Sequence, residues 1–410
     1  MGQLQTEIEP SEVGLDAQRL QRIDRHFAQY VSDGRLPGWL VLVARHGKIA
    51  HLATHGMRDV EAGLPVESDT LFRIYSMTKP ITSVAAMMLY EQGVFELTDP
   101  ISRFLPAFTD QRVYVNGSAD RPQTRPATEP IRIWHLLTHT AGLTYGFHHI
   151  HPVDRMYRDA GFEWGHPSEL DLAGACDAWA EFPLLFDPGQ SWNYSVATDV
   201  LGRLVEVASG QALEAFFREH ILDPLDMRDT GFSACEQDGD RLAALYTADR
   251  AGKAVRNDRF GRVAHHQPRV FSGGGGLISS ARDYHRFTLM LLGGGQLEGA
   301  RLLSNRTVDY MTRNHLPGGA DLETLAMGTF SETANAGKGF GLGFSVNEDP
   351  TASKVVSSVG QYAWGGAAST SFWVDPREEL TVVFLTQLLP SSTHPIRSQL
   401  QQLVYQALVD

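Results

Sequence analysis

The chain has 410 residues, and its 35 basic and 48 acidic side chains give a formal net charge of -13 at pH 7. That balance argues against a nucleic-acid or anionic-membrane partner and for a small-molecule substrate. Two cysteines, Cys176 and Cys235, make neither a disulfide framework nor the number and spacing of a zinc site, and no apolar run approaches the length of a membrane span.

Residues Met1 to Pro10 are polar and acidic where a secretory signal needs a basic start and an apolar stretch, so the expected location is the cytoplasm. From Asp16 to Asp33, Leu20, Ile23, Phe27 and Tyr30 recur at helical spacing and predict a first amphipathic helix. After Pro37-Gly38, the runs Trp39 to Ala44 and Ile49 to Thr54 flank Arg45-His46-Gly47-Lys48 and predict a β-hairpin. Between about Asp99 and Pro268 the chain is rich in Pro, His and aromatic residues, with helical patches at Ile131 to Leu137 and Val200 to Val207 and no sustained period-two alternation. Strand signals return at Phe340 to Val346, Ser369 to Val374 and Leu380 to Gln387, and Pro395 to Leu408 reads as a last helix. The expected organisation is one α/β domain from residues 1–98 together with 269–410, holding an antiparallel sheet flanked by helices, and a mainly helical domain from 99–268, with the active site at their interface.

The stretch Arg73 to Pro80 opens the apolar helix pattern Ile81, Val84, Ala85, Met88 and Leu89, which Gly93 ends. Ser76 is thus expected at a helix N-terminus, where free backbone amides favour an oxyanion. Lys79, one turn on, falls on the same face, and burial there favours the neutral amine that accepts the serine proton. Taken alone, Ser-x-x-Lys more often describes a serine cap followed by a solvated lysine, so other motifs must decide. Tyr194, after the turn Asp187-Pro188-Gly189, is placed to relay protons or else is a half-buried loop tyrosine. Trp364-Gly365-Gly366-Ala367 precedes a strand, with glycines that allow close backbone approach.

Ser76-x-x-Lys79, Tyr194-Ser195-Val196 and Trp364-Gly365-Gly366, in this order, resemble the three motifs of the serine β-lactamase-like superfamily, supported by Ile133 to Leu143, Phe271 to Leu277 and Phe340 to Phe344. Within it the chain is most similar to the family VIII carboxylesterases and the related statin-type acyltransferases. The resemblance implies a β-lactamase and penicillin-binding-protein-like α/β fold and a serine carboxylesterase of neutral short- to medium-chain esters. Catalytic roles would fall to Ser76, Lys79 and Tyr194, and the oxyanion hole to the backbone of Ser76 and Ala367. The substrate would meet Trp364, Gly365, Gly366 and Val196, and by composition Tyr145, Phe147 and His149. Val196 and Trp364 replace the asparagine and lysine of class C β-lactamases, which removes the partners of an acylamino group and a carboxylate and suits a neutral ester.

The same acyl-enzyme also serves an acyltransferase, a β-lactamase or a D-Ala-directed peptidase, and loss of the chemistry would leave a ligand-binding homologue. No Gly-x-Ser-x-Gly elbow is present. His135 and His139 stand four apart but lack the glutamate of His-Glu-x-x-His, so they read as structural, with no metal and no cofactor expected.

Overall fold

The predicted first helix is α1 (Ala17–Ser32), whose buried face is Leu20, Ile23, Phe27 and Tyr30 and whose cap is Asp16, accepting the Arg19 N–H at 3.0 Å. It belongs to a computed structural model that describes residues 4–234, 236–261, 266–327 and 336–409. Strands β1 (Gly38–Arg45) and β2 (Lys48–Asp59) form the hairpin, closed at His46 and Gly47, both of positive φ as a two-residue type I′ turn demands. A short β3 (Leu64–Pro65) extends it. Helices α2 (Thr78–Glu91), α3 (Ala197–Ser209) and α4 (Ala281–Leu292) follow. Five more strands then come in succession: β4 (Lys338–Phe340), β5 (Ser345–Asn347), β6 (Tyr362–Gly365), β7 (Ser371–Asp375) and β8 (Leu380–Leu385). Helix α5 (Ile396–Tyr405) comes last.

One eight-stranded antiparallel sheet runs β4-β5-β6-β7-β8-β1-β2-β3. Its seam is the pairing of β1 with β8, from Leu40 opposite Leu385 to Arg45 opposite Leu380, which joins the two ends of the chain. Every residue of β1 is buried because both faces of the sheet are covered. Leu40, Leu42 and Ala44 enter the core shared with α2, α3 and α4, whereas Trp39, Val41 and Val43 enter a second core under α1 and α5. Each such aliphatic side chain stabilises the fold by about 1.5–3 kcal/mol relative to exposure.

Four local expectations are corrected. The run Phe340 to Val346 is two strands, because Gly343 (φ 100°) turns the chain where a Cβ would lie 2.2 Å from Ser83 Oγ of α2. Tyr362–Gly365, read as a glycine approach to a strand, is itself a strand. Within 99–268, Arg112–Ser118 and Arg121–Pro126 form a hairpin. Both of its faces are largely exposed, so no apolar alternation marks it, and its prolines, Pro122 and Pro126, fall on its edge strand while Val113 of the other strand bridges Leu184. Tyr246–Ala248, inside that same stretch, is a further strand and pairs in parallel with Leu388–Leu389.

Burial holds two imidazoles neutral: His135, whose Nδ1 accepts the Arg132 N–H, is pushed down to about 3, and His285 to about 4, each helped by a neighbouring arginine. Below pH 6.5 the unfolded chain binds protons that the folded chain refuses until those lower values, so stability falls as pH falls, by up to about 1.4 kcal/mol per unit per ring. The thermal midpoint is expected to drop by several degrees from pH 7 to 5, and a His135→Gln/His285→Gln variant should show a shallower drop; an equally steep one would count against this assignment.

Candidate active site

Ser76 sits in a 3-10 turn, Tyr75–Met77, immediately ahead of α2, rather than in the helix itself. The turn is set by Tyr75, which adopts φ 44°, a left-handed conformation that a bulky residue takes only under constraint. Its flanks are fixed: Ile74 N–H donates to the Leu277 carbonyl at 3.1 Å, and the Tyr284 hydroxyl donates to the Met77 carbonyl at 2.9 Å. Ser76 remains partly exposed while Met77 to Leu89 are almost all buried, so the hydroxyl is presented at the rim of a rigid core.

Lys79, 2 % exposed, directs its Nζ to the Gly274 carbonyl at 2.6 Å, the Tyr145 hydroxyl at 3.0 Å and Ser76 Oγ at 3.5 Å. Tyr194 hydroxyl lies 2.6 Å from Ser76 Oγ. The contrast of 2.6 Å with 3.5 Å makes the phenol the nearer partner for the serine proton. Lys79 Nζ also lies 4.6 Å from the Tyr194 ring centroid, so amine and phenol share one buried corner. Three of the residues that motif reading singled out therefore converge within hydrogen-bond reach.

Tyr194 is braced on all sides. His148 Nε2–H donates to its carbonyl at 2.6 Å, and His139, with Nδ1 3.3 Å from Ser195 Oγ, lays its ring 4.9 Å from the phenol. Burial and the Lys79 charge hold His139 well below the ordinary imidazole range, and burial lowers His148, so both brace as neutral rings. Trp364 is 2 % exposed, with ring centroids 5.5 Å from Tyr194 and 5.3 Å from Phe340. Val196 is buried at the head of α3. Both sit in packed core. The hairpin inside 99–268 contributes here too: Arg125 pairs with Asp187 at 2.5 Å, holding that carboxylate down at about 2 and fixing the turn before Tyr194.

Gly366 lets β6 turn against the segment before Ser76, since a Cβ there would lie 2.4 Å from the Ile74 carbonyl. The turn is held by Gly366 N–H to the Thr370 carbonyl at 2.9 Å. Arg397 of α5 adds a clamp by donating to the carbonyls of Gly366 and Thr370 at 3.1 and 3.2 Å, under Gly365. Ala367 sits at the partly exposed tip, and its N–H has no acceptor among the described residues. First-turn amides such as that of Ser76 likewise lack an intrahelical acceptor.

Sequence reasoning placed Tyr145 on the cleft wall and missed its bond to Lys79. Burial and the nearby Asp199 and Tyr194 push its hydroxyl well above the ordinary phenol range, so it stays neutral. Phe147 stacks on Tyr145 at 4.6 Å. His149 is not brought to Ser76: it is exposed, with Nε2 3.0 Å from Glu163. Asp199 was missed altogether. It is buried in the first turn of α3, accepts Ser272 Oγ–H at 2.5 Å and Gly274 N–H at 3.0 Å, and so aims the Gly274 carbonyl at Lys79. The signal was an aspartate five residues after Tyr194 together with the run Ser272 to Gly276. A cavity of about 860 Å³ between Glu7, Lys48, Arg282 and Arg286 has no hydroxyl or thiol nucleophile in its lining.

The beta-lactamase family model matches residues 23–406. Esterase EstB of Burkholderia gladioli is 33 % identical over 421 residues, covering 97 % of this chain and 98 % of that protein. The solved structure of EstCE1, a hydrolase with promiscuous acyltransferase activity, superposes with a TM-score of 0.78 at 31 % identity, over 96 % of this chain and 98 % of that one. A variant of simvastatin synthase from Aspergillus terreus superposes with a TM-score of 0.79 at 25 % identity, over 96 % and 95 %.

A methyl group at Gly274 would meet Asp199 Oδ2 at 2.4 Å and shift the carbonyl that holds Lys79. Gly274→Ala is expected to slow labelling of Ser76 by a fluorophosphonate at least about tenfold, measured by intact-protein mass, while the far-ultraviolet circular dichroism is retained. An unchanged labelling rate would refute the role given to this loop.

Proposed function

The chain belongs to the beta-lactamase family, and on that premise we propose that it is a family VIII-type serine carboxylesterase acting on neutral short- to medium-chain esters. The observation that carries the proposal is the 2.6 Å contact of Tyr194 hydroxyl with Ser76 Oγ beside a buried Lys79. EstB, similar along its whole length, bears the name esterase and supports the reaction class.

Ser76 Oγ attacks the ester carbonyl as its proton passes to Tyr194 in its phenolate form, whose charge a protonated Lys79 stabilises until the proton arrives. The tetrahedral oxyanion is held by the N–H groups of Ser76 and Ala367, where losing one such donor costs about 3 kcal/mol of transition-state stabilisation. Tyr194 returns the proton to the departing alcohol, and water then releases the acyl group by the reverse sequence. Ser76 and Ala367 come from residues 1–98 and 269–410, and Tyr145 and Tyr194 from 99–268, so the reaction takes place between the two proposed domains. Tyr145 and Phe147 offer the substrate a partly exposed aromatic wall, with Gly365 and Gly366 under the oxyanion turn and His149 at the rim. Trp364 and Val196 act from behind: an apolar tryptophan where a cation would bind a carboxylate supports a neutral ester.

Acyl transfer to a second alcohol is the alternative outcome of the same intermediate, favoured by the likeness to EstCE1 and simvastatin synthase. We place the protein in the cytoplasm, a reading that the buried free thiol of Cys176 fits. No described helix is long and apolar enough to cross a membrane.

Purified protein is expected to cleave p-nitrophenyl acetate and butyrate quickly and nitrocefin slowly or not at all, with one phosphonate adduct on Ser76. Ser76→Ala should abolish turnover, and Lys79→Ala and Tyr194→Phe should each lower kcat by about a hundredfold or more. Full activity in the Ser76 variant, or faster cleavage of nitrocefin than of esters, would overturn the reading.

A further inference from the structure

From the lysine outward, three aromatic rings follow one another in near-parallel steps. Tyr145, bonded to Lys79, stacks on Phe147 with centroids 4.6 Å apart and planes at 20°. Phe147 stacks in turn on Trp164 at 4.8 Å and 14°. Exposure rises along the row: Tyr145 and Phe147 are half-buried, whereas Trp164 is 55 % exposed. A large indole left this open in water, in register with rings that lead to a nucleophile, is a surface without a partner rather than a piece of core.

The row is built to keep its shape. Gly146 has no room for a side chain, since a Cβ would lie 2.4 Å from the Phe162 carbonyl, and that close approach brings the 145–149 turn onto the segment carrying Trp164. Arg158 Nη1 donates to the Gly146 carbonyl at 2.6 Å, and His149 with Glu163 ties the two segments at 3.0 Å. Phe162 is anchored inward, 5.4 Å from the Trp179 ring. His149, which sequence reasoning offered as a pocket residue, thus acts as a tie.

We propose that Tyr145, Phe147 and Trp164 form a preorganised shelf for a flat apolar group, an aryl ring above all, carried by the ester at a distance from its carbonyl. The inference rests on the esterase reading and names a class of substrate for the same site. A planar group lying along the row gains stacking contact that a flexible alkyl chain of equal size does not, and the ties mean that little ordering is needed when it binds. Because the flat group could belong to either part of the ester, two arms distinguish the sources. One arm compares acetates of an arylalkyl and an alkyl alcohol of matched size; the other compares ethyl esters of an arylalkanoic and an alkanoic acid of matched size.

The wild-type enzyme is expected to favour the aryl member in at least one arm, mainly through KM. Trp164→Ala should lower kcat/KM for that member about tenfold more than for its alkyl partner, and Trp164→Phe should restore most of the difference. The change in thermal midpoint, read in parallel, reports on folding. An enzyme that labels at Ser76 and turns over esters without aryl preference in either arm would overturn the shelf alone, as would equal losses for both members in Trp164→Ala. A wild-type protein with no Ser76 adduct and no ester turnover would overturn the esterase reading and the shelf with it.

Discussion

The site depends on one buried amine. Lys79 is 2 % exposed, and a polar group taken out of water is tolerated only where its donors find acceptors. Those acceptors come from far apart in the chain: the Gly274 carbonyl from a glycine loop, Tyr145 from the segment after residue 99, and Ser76 from its own helix turn. Satisfying Lys79 therefore pulls three regions to one point, and Ser76 is where they meet. Asp199 does for the loop what the loop does for the lysine, since a buried carboxylate bound to Ser272 and Gly274 admits one loop conformation.

Much of the fold was legible because burial leaves periodic marks. Leu20, Ile23, Phe27 and Tyr30 declare α1, and the alternate faces of β1 leave an unbroken apolar run because two cores receive it. Elements that bury little leave little trace. The hairpin 112–126 is exposed on both faces, so nothing in its pattern distinguishes a ribbon from a loop. The split of Phe340 to Val346 depends on how close Ser83 stands to Gly343, a distance no local pattern encodes.

The site divides along the same line. Ser76, Lys79 and Tyr194 were legible because chemistry restricts residue type at those positions. Asp199 and Arg397 were not, and Tyr145 was legible only as a cleft residue and not as a partner of Lys79, because each acts through a backbone carbonyl, a loop amide or an amine whose neighbour only the tertiary fold chooses. Trp364 was legible as an important aromatic, yet it packs behind Tyr194. A motif tells which residue is needed and not which of its faces is used.

The clamp of Arg397 on the Gly366 turn bears on synthesis as well as on structure. Ser76 is made long before β8, and β1 must wait for β8 before the sheet closes. Because the Gly366 turn is held by a side chain of α5, a polypeptide made only as far as β8 carries Ser76 without the clamp on the turn that packs against it.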